Sequence, residues 1–225
     1  MPRILALDTA TEACSVALYL DGEVHEHFDI LPRQHSLQIL AMIEAILAEH
    51  DQSVMTLDAI AFGRGPGAFT GVRIAAGITQ GLAFAADLPV IPVSTLAALA
   101  QLGLRQYGAR QVLATLDARM DEIYQALYCA VDAGMVLQGT EQVSSPERVV
   151  VGDKIPDHLT GVGSGWRYRD RIAVPVSQCY PDAYPHAADV ALLASMALAR
   201  GEGVAAEQAL PVYLRDKVAR KKHEH

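Results

Sequence analysis

A glycine-rich turn that leads directly into a long helix constrains the fold of this chain more than any other stretch. Residues 63–71 read Gly-Arg-Gly-Pro-Gly-Ala-Phe-Thr-Gly, between an apolar, strand-like run at 57–62 and a helical pattern that extends to about Ala86. A further apolar run follows at 90–93. Glycine adopts positive φ and lets a second backbone or an anion approach closely. The stretch therefore predicts a β-α-β unit with a close contact at the turn.

A nucleotide-binding phosphate loop is the first interpretation of such a turn, and the sequence argues against it. No Gly-Lys-Ser or Gly-Lys-Thr ends the segment, and the spacing only nominally approaches Gly-x-Gly-x-x-Gly. The chain has four lysines, all after residue 150. A Walker-type nucleotide site is therefore excluded.

The helix after the turn carries Gly77 and Gly81, four residues apart on one face. Each glycine costs about 1 kcal/mol relative to alanine inside a helix. A face of small residues lets two helices pack at unusually close range. The second helix belongs either to the same chain or to another molecule, and the residues alone leave both alternatives open.

The chain opens with a predicted meander of three antiparallel strands. Apolar runs at 4–7 and 14–20 are followed by Asp21-Gly22, a strong signal for a hairpin turn, and by an alternating stretch at 23–30. Residues 35–50 contain no glycine or proline and predict a helix.

That first helix has two apolar stripes. The first repeats at helical spacing and the second lies beside it; they consist of Leu37, Leu40, Ile43 and Leu47, and of Ile39, Met42 and Ile46. Either the helix is buried between two layers of the chain, or the second stripe is reserved for a neighbouring molecule.

The second half of the chain repeats the outline of the first. A second meander and an alanine-rich helix are predicted at residues 112–116, 123–131, 136–138 and 190–200. We therefore expect an α/β protein built from a duplicated unit. Its lobes are predicted to span residues 1–104 and 105–225, with the final helix packing back on the first lobe.

Composition excludes several classes of protein. The formal charge of −8 argues against a chain that grips nucleic acid alone. Basic residues gather only at the C-terminus, where they either meet RNA or form a solvated helix end: Arg215, Lys217, Arg220, Lys221 and Lys222. No apolar run reaches the roughly 18 residues of a membrane span, and no cleavable signal is visible, so we expect a cytoplasmic protein. Cys14, Cys129 and Cys179 are expected to be reduced packing residues.

Four stretches together resemble the signature of the TsaB family, also called YeaZ. Residues 65–74 read Gly-Pro-Gly-Ala-Phe-Thr-Gly-Val-Arg-Ile, and residues 5–11 read Leu-Ala-Leu-Asp-Thr-Ala-Thr. Residues 117–124 and 211–215 supply Asp-Ala-Arg-Met-Asp-Glu-Ile-Tyr and Pro-Val-Tyr-Leu-Arg. The resemblance covers nearly the whole chain.

This resemblance implies an actin-like fold (ASKHA, ribonuclease H-like). It further implies a role in forming N6-threonylcarbamoyladenosine at position 37 of tRNAs that read codons beginning with A. In the family, the protein is a scaffold for the paralogous transferase TsaD, the ATPase TsaE joins the complex, and the protein self-associates through the same surface. The tRNA is then expected to be met only through the complex.

The resemblance also implies where the partner or the second copy docks, namely on the helices of the first lobe. It thereby favours a second molecule, and not the chain's own core, as the neighbour of Gly77 and Gly81. The residues expected at this surface are His35, Ile39, Met42, Ile43, Ile46, Phe69, Arg73, Ile74, Gly77, Gln80 and Gly81.

An enzyme of the same fold is the alternative, and the sequence gives it less support. The catalytic paralogue carries a His-x-x-x-His metal pair where this chain has Thr95 and Leu99, so we predict no metal site. Asp8, with Thr9 and Thr11, is a weak candidate for contacting ATP or ADP, because no glycine follows it in the turn. We expect no resident cofactor.

Two further clusters remain ambiguous, and no hydrolase motif is present. Residues 161–166 are either a vestige of an adenosine loop or a turn between strands. The charged group Asp117, Arg119, Asp121 and Glu122 is explained equally well by a solvated strand end with an internal ion pair. No serine stands in a Gly-x-Ser-x-Gly elbow.

Overall fold

The computed structural model describes residues 1–152 and 157–215 and contains two five-stranded sheets. The first sheet has the order β3-β2-β1-β4-β5. Its strands, and the three helices of the same part of the chain, are β1 (Ile4–Asp8), β2 (Ala13–Leu20), β3 (Glu23–Ile30), α1 (His35–Glu49), β4 (Ala59–Gly63), α2 (Phe69–Ala86), β5 (Val90–Val93) and α3 (Thr95–Tyr107).

The second sheet has the order β10-β9-β6-β7-β8. Read from β8 to β10, this order repeats the topology of the first sheet. Its strands and the last described helix are β6 (Gln111–Arg119), β7 (Glu122–Val131), β8 (Gly134–Ser144), β9 (Thr160–Val162), β10 (Gln178–Tyr180) and α4 (Ala187–Ala199). In each sheet an antiparallel meander of three strands is extended by two parallel strands. The predicted α/β class and its duplication are therefore confirmed.

Both faces of the first sheet are covered. In β1, Leu5 and Leu7 point into a core shared with α1 and α2, whereas Ile4 and Ala6 point into a second core shared with α4. All four side chains have no exposed surface. Because successive strand residues face opposite sides, a continuous apolar strand is what such a sandwiched sheet requires.

The structure buries members of both apolar stripes of α1, Ile43 and Leu47 of the first as well as Ile39 and Ile46 of the second. Ile39 and Ile46 are fully buried against the sheet, whereas Leu37 and Leu40 are 74% and 51% exposed. Helical periodicity identifies both stripes but not which of them the sheet covers.

Two helices cross between the lobes. Leu96, Leu99 and Leu102 of α3 pack on the second sheet, although α3 precedes that sheet in the sequence. Conversely, α4 packs on the first sheet. The predicted boundary between residues 104 and 105 falls inside α3. The lobes are therefore defined by the two sheets, because no single position in the sequence separates them.

Polar groups fix the start of α4 on the first sheet. The Ser15 Oγ accepts a hydrogen bond from the Ala187 amide at 2.9 Å, and a Glu26 carboxylate oxygen accepts one from the Ala188 amide at 3.0 Å. The Arg105 guanidinium donates twice to the buried Asp189 carboxylate, at 2.9 and 2.8 Å. The contacts of Ser15 and Glu26 satisfy amides that the first turn of a helix leaves unpaired.

Several details bear on the sequence expectations. The three cysteines are free, as expected. Of the basic C-terminal group, Arg215 is described, and Lys217, Arg220, Lys221 and Lys222 lie outside the described residues. Among the described helices, none has the length and apolar character needed to cross a membrane.

Candidate docking face and interlobe cleft

The outward face of α2 contains the two helical glycines and is open. No heavy atom of the described chain lies within 4 Å of a Cβ built on Gly77 or Gly81, apart from the helix backbone and chain neighbours. Phe69 and Phe84, on the same face, are 51% and 83% exposed. No part of the described chain packs on these two glycines. The alternative in which their neighbour is a helix of the same chain is therefore not realised. We call Phe69, Arg73, Gly77, Gly81 and Phe84 the docking face.

The glycines of the preceding turn have a different role. A Cβ on Gly71 would lie 1.9 Å from the Thr9 carbonyl oxygen, and one on Gly67 would lie 2.4 Å from the Ala10 carbonyl oxygen. The Ala68 amide donates to the same Ala10 oxygen at 2.7 Å. The predicted close approach therefore exists, and the chain's own β1–β2 connection makes it.

The predicted docking residues of α1 are mostly not available for contact. Ile39, Ile43 and Ile46 lie in the core with α2 and the sheet, and His35 is buried with its Nε2 3.2 Å from the Ala13 carbonyl oxygen. Met42 is half-buried. In this conformation these side chains are largely closed to a partner, and their place at a docking surface stays a prediction.

The exposed apolar side chains of these two helices include three that the predicted docking surface left out. They are Leu37 and Leu40 of α1 and Phe84 of α2. The signal for the two leucines was present, since they belong to the first apolar stripe of α1. Ile74 and Gln80 are half-buried at the margin, and the Gln80 side chain donates to the Ala209 carbonyl oxygen at 3.1 Å.

A cleft of about 500 Å³ opens between the lobes at the N-terminal end of the docking face. Its walls come from the β1–β2 connection, the start of α2, the β6–β7 turn and the C-terminal segment. The lining of the cleft includes Thr11, Glu12, Phe69, Arg73, Asp117, Arg119, Tyr213 and Arg215.

Two of the three candidate nucleotide contacts lie beneath the cleft and not in its wall. Asp8 is buried, its Oδ1 accepts from the Ala10 amide at 2.9 Å, and its Oδ2 has no hydrogen-bond partner among the described residues. A Cβ on Gly63 would lie 1.8 Å from that Oδ2. The Thr9 hydroxyl is also buried and donates to the Gly71 carbonyl oxygen at 2.7 Å. Thr11 alone of the three lines the cleft.

Burial raises the pKa of the Asp8 carboxyl from 3.8 to about 7, with the Ala10 amide opposing the shift. A carboxylate that holds magnesium has to be ionised and reachable by the ion and its water ligands. Asp8 does not fit this role, because desolvation favours its neutral form and Gly63 covers its free oxygen.

The remaining sequence candidates are structural. Thr95 and Leu99, in place of the paralogue's histidines, are fully buried. Within residues 1–152 and 157–215, no three His, Cys, Asp or Glu side chains are arranged to hold a metal ion. Gly161 lies in β9, where a Cβ would fall 2.3 Å from the indole of Trp166, so the 161–166 stretch is a packed strand end and turn.

The charged group of the second lobe forms ion pairs. Arg119 lies 3.1 Å from Asp117 and also reaches across the cleft to Glu12 of the first lobe, at 3.0 Å. Asp121 pairs with Arg171 at 3.1 Å. The internal ion pair is confirmed, and the link between the lobes is a feature that local sequence could not reveal.

Comparisons with known proteins agree with this geometry. A family model described as TsaD, tRNA N6-adenosine threonylcarbamoyltransferase, matches residues 29–223. The chain is 46% identical to the tRNA threonylcarbamoyladenosine biosynthesis protein TsaB of Escherichia coli, over 98% of this chain and 97% of that protein. It is 42% identical to TsaB of Haemophilus influenzae, over 97% and 96%.

A solved structure of YeaZ from Pseudomonas aeruginosa matches with a TM-score of 0.93 and 50% identity, over 95% of this chain and all of that one. This match and the TsaD-like domain confirm the predicted actin-like fold. By sequence and by structure, the chain belongs to the TsaB (YeaZ) family of tRNA threonylcarbamoyladenosine biosynthesis proteins.

Proposed function

We propose that the protein is a non-catalytic scaffold subunit in the synthesis of tRNA threonylcarbamoyladenosine. It docks on the TsaD paralogue and stabilises the conformation in which that subunit transfers the threonylcarbamoyl group to adenosine 37. TsaE joins this complex in the cytoplasm, and the tRNA is met only through the complex. In the absence of the paralogue, the same surface pairs two copies of the chain.

The open glycine face of α2 is the observation that carries the proposal. Two helical glycines cost roughly 2 kcal/mol relative to alanine, and no side chain of the described residues packs on Gly77 or Gly81. A second helix that crosses at these positions would recover that cost through close packing. The exposed rings of Phe69 and Phe84 and the exposed Leu40 would be covered by the same contact.

The chemistry of the cleft supports a scaffold more than an enzyme. Thr95 and Leu99 offer no ligand pair, and Asp8 is buried, which raises the pKa of its carboxyl. The proposal therefore includes no resident cofactor. A nucleotide held at the subunit joint would meet Thr11 and Arg119, which line the cleft, and not Asp8.

Calorimetric titration of the TsaD paralogue with Gly77→Leu tests the docking face. We expect binding at least about tenfold weaker than for the natural chain, which corresponds to ~1.4 kcal/mol. Ala199→Leu is the matched control, because it adds the same side chain at an exposed position of α4. Equal affinity of a folded Gly77→Leu protein would show that the face is not the docking site.

An actin-like ATPase or kinase is the second candidate, and the interlobe cleft of about 500 Å³ is the observation that favours it. Turnover of ATP with magnesium by the isolated chain, abolished by Thr11→Val, would overturn the scaffold proposal. We expect no turnover above a blank.

A further inference from the structure

The C-terminal segment of residues 211–215 crosses from the first lobe to the second at the mouth of the cleft. Its first-lobe end is fixed by backbone contacts, with the Val212 amide donating to the Arg64 carbonyl oxygen at 2.8 Å. Gly65 has φ of +98°, and a Cβ on it would lie 2.9 Å from the Val212 carbonyl oxygen. The segment thus lies directly against the glycine-rich turn. We call it the strap.

Tyr213 attaches the strap to the docking face. Arg73 Nε donates to the Tyr213 hydroxyl at 2.8 Å, and the guanidinium carbon of Arg73 lies 3.6 Å from the centre of the Phe69 ring. The Phe69 and Tyr213 rings are 5.8 Å apart. A guanidinium stacked on an aromatic face is a favourable contact with a defined geometry. The strap therefore contacts two residues of the docking face, Phe69 and Arg73.

Arg215 attaches the other end of the strap to the second lobe. Its guanidinium pairs with Glu122 and donates to the Arg119 carbonyl oxygen at 3.2 Å, and its side chain is only 17% exposed. The β6–β7 turn that it holds has three successive residues with positive φ, at 63°, 57° and 59° for Arg119, Met120 and Asp121. Such backbone is costly for residues other than glycine and persists when surrounding contacts hold it.

We propose that the strap couples the docking face to the β6–β7 turn, so that a change at Tyr213 and Arg73 alters how firmly the turn closes the cleft. The location of the docking face rests on the proposed function, whereas the mechanical link between the lobes does not. Arg73 holds the strap on the first lobe through Tyr213, and Arg215 holds it on the second, so a change at Tyr213 would reach the turn along the strap.

Amide hydrogen exchange of the isolated full chain tests this coupling. Arg215→Ala removes the second-lobe attachment, and Tyr213→Phe removes only the hydroxyl that Arg73 holds. We expect exchange in a peptide covering residues 117–124 to become about threefold faster or more in both variants, because both weaken what holds the turn. Arg200→Ala is the control, since Arg200 pairs with Glu202 beyond α4 and away from the strap.

Faster exchange at 117–124 in Arg215→Ala but not in Tyr213→Phe would overturn the coupling, as would no change in either variant. Thermal denaturation of each variant verifies that the exchange reports a local change and not global unfolding. Because the isolated chain is used, a failure of the paralogue to bind would count against the proposed docking face and would leave this result intact.

Discussion

At Gly71 a Cβ would lie 1.9 Å from the Thr9 carbonyl oxygen, whereas at Gly77, less than two turns further along α2, no heavy atom of the described chain lies within 4 Å beyond the helix's own backbone. The first glycine is required by the chain's own packing. The packing of the described residues does not require the second glycine, so no contact within them offsets the stability that it costs the helix. The same residue type in one helix thus serves folding at one position and is free for recognition at another.

Alanine substitutions separate these two roles. Gly77→Ala should raise the free energy of unfolding by about 0.5–1 kcal/mol, because it relieves the helical cost of glycine without a clash. Gly71→Ala should lower it, since the added methyl group would collide with backbone. Urea denaturation measures both, and a destabilised Gly77→Ala protein would mean that the chain itself packs on that face.

Asp8 should make the stability depend on pH in an unusual direction. Its folded pKa of about 7 lies above the ordinary value of 3.8, so between these values the folded state keeps a proton that the unfolded state has lost. The contribution of Asp8 to stability is therefore present below pH ~4 and falls as the pH rises to about 7, by up to ~4 kcal/mol.

Asp8→Asn removes this titration. We expect the free energy of unfolding of Asp8→Asn, minus that of the natural chain, to increase from pH 4 to pH 7 in denaturant titrations. Taking the difference cancels the carboxylates that both proteins share. Two parallel curves would mean that Asp8 is ionised in the folded protein.

At the scale of elements, α1 separates what the sequence predicts from what it does not. The absence of glycine and proline and the apolar spacing predict the helix correctly within one residue at its end. Both stripes are apolar, however, and only the position of the sheet decides that Ile39 is buried and Leu40 exposed. Likewise, the start of α2 depends on the β1–β2 connection, which is distant in sequence. The Ala10 carbonyl oxygen of this connection accepts a hydrogen bond from the Ala68 amide.

Adjacent substitutions in α1 test this orientation. Ile39→Asp should prevent folding or cost several kcal/mol, because it buries a charge without a partner. Leu40→Asp should leave thermal stability nearly unchanged and weaken binding to the TsaD paralogue, since Leu40 is half-exposed on a helix that packs on the same core as α2. If Leu40→Asp bound with natural affinity, α1 would lie outside the contact and α2 alone would carry it.

At the scale of the whole molecule, the duplicated topology was predictable, whereas the packing of α3 on the second sheet was not. Two meanders with similar sequence patterns indicate two similar sheets. That α3 packs on the second sheet and α4 on the first depends on contacts such as Arg105 with Asp189, 84 residues apart. The interlobe link of Arg119 to Glu12 is equally long-range. Local patterns contain no information on such pairs.

The Arg105–Asp189 pair should hold α3 and α4 together between the lobes. Burial raises the pKa of Asp189 even though Arg105 opposes this shift, so removing the arginine leaves a buried carboxyl without the cation that is hydrogen-bonded to it. Arg105→Ala should lower the free energy of unfolding by about 3–5 kcal/mol near neutral pH. Adding Asp189→Asn should recover part of the loss, and the exposed Arg200→Ala should have little effect; equal losses in both arginine variants would contradict this role.

Reconstituted threonylcarbamoylation of tRNA, measured as a function of the concentration of this chain, tests the scaffold account most directly. With Gly81→Leu, we expect the concentration for half-maximal rate to rise about tenfold or more while the rate at saturation stays the same, because a scaffold with a docking defect is rescued by excess. Ala199→Leu should follow the natural curve. A Gly81→Leu curve identical to the natural one, or a reduced saturating rate that no excess restores, would contradict the account.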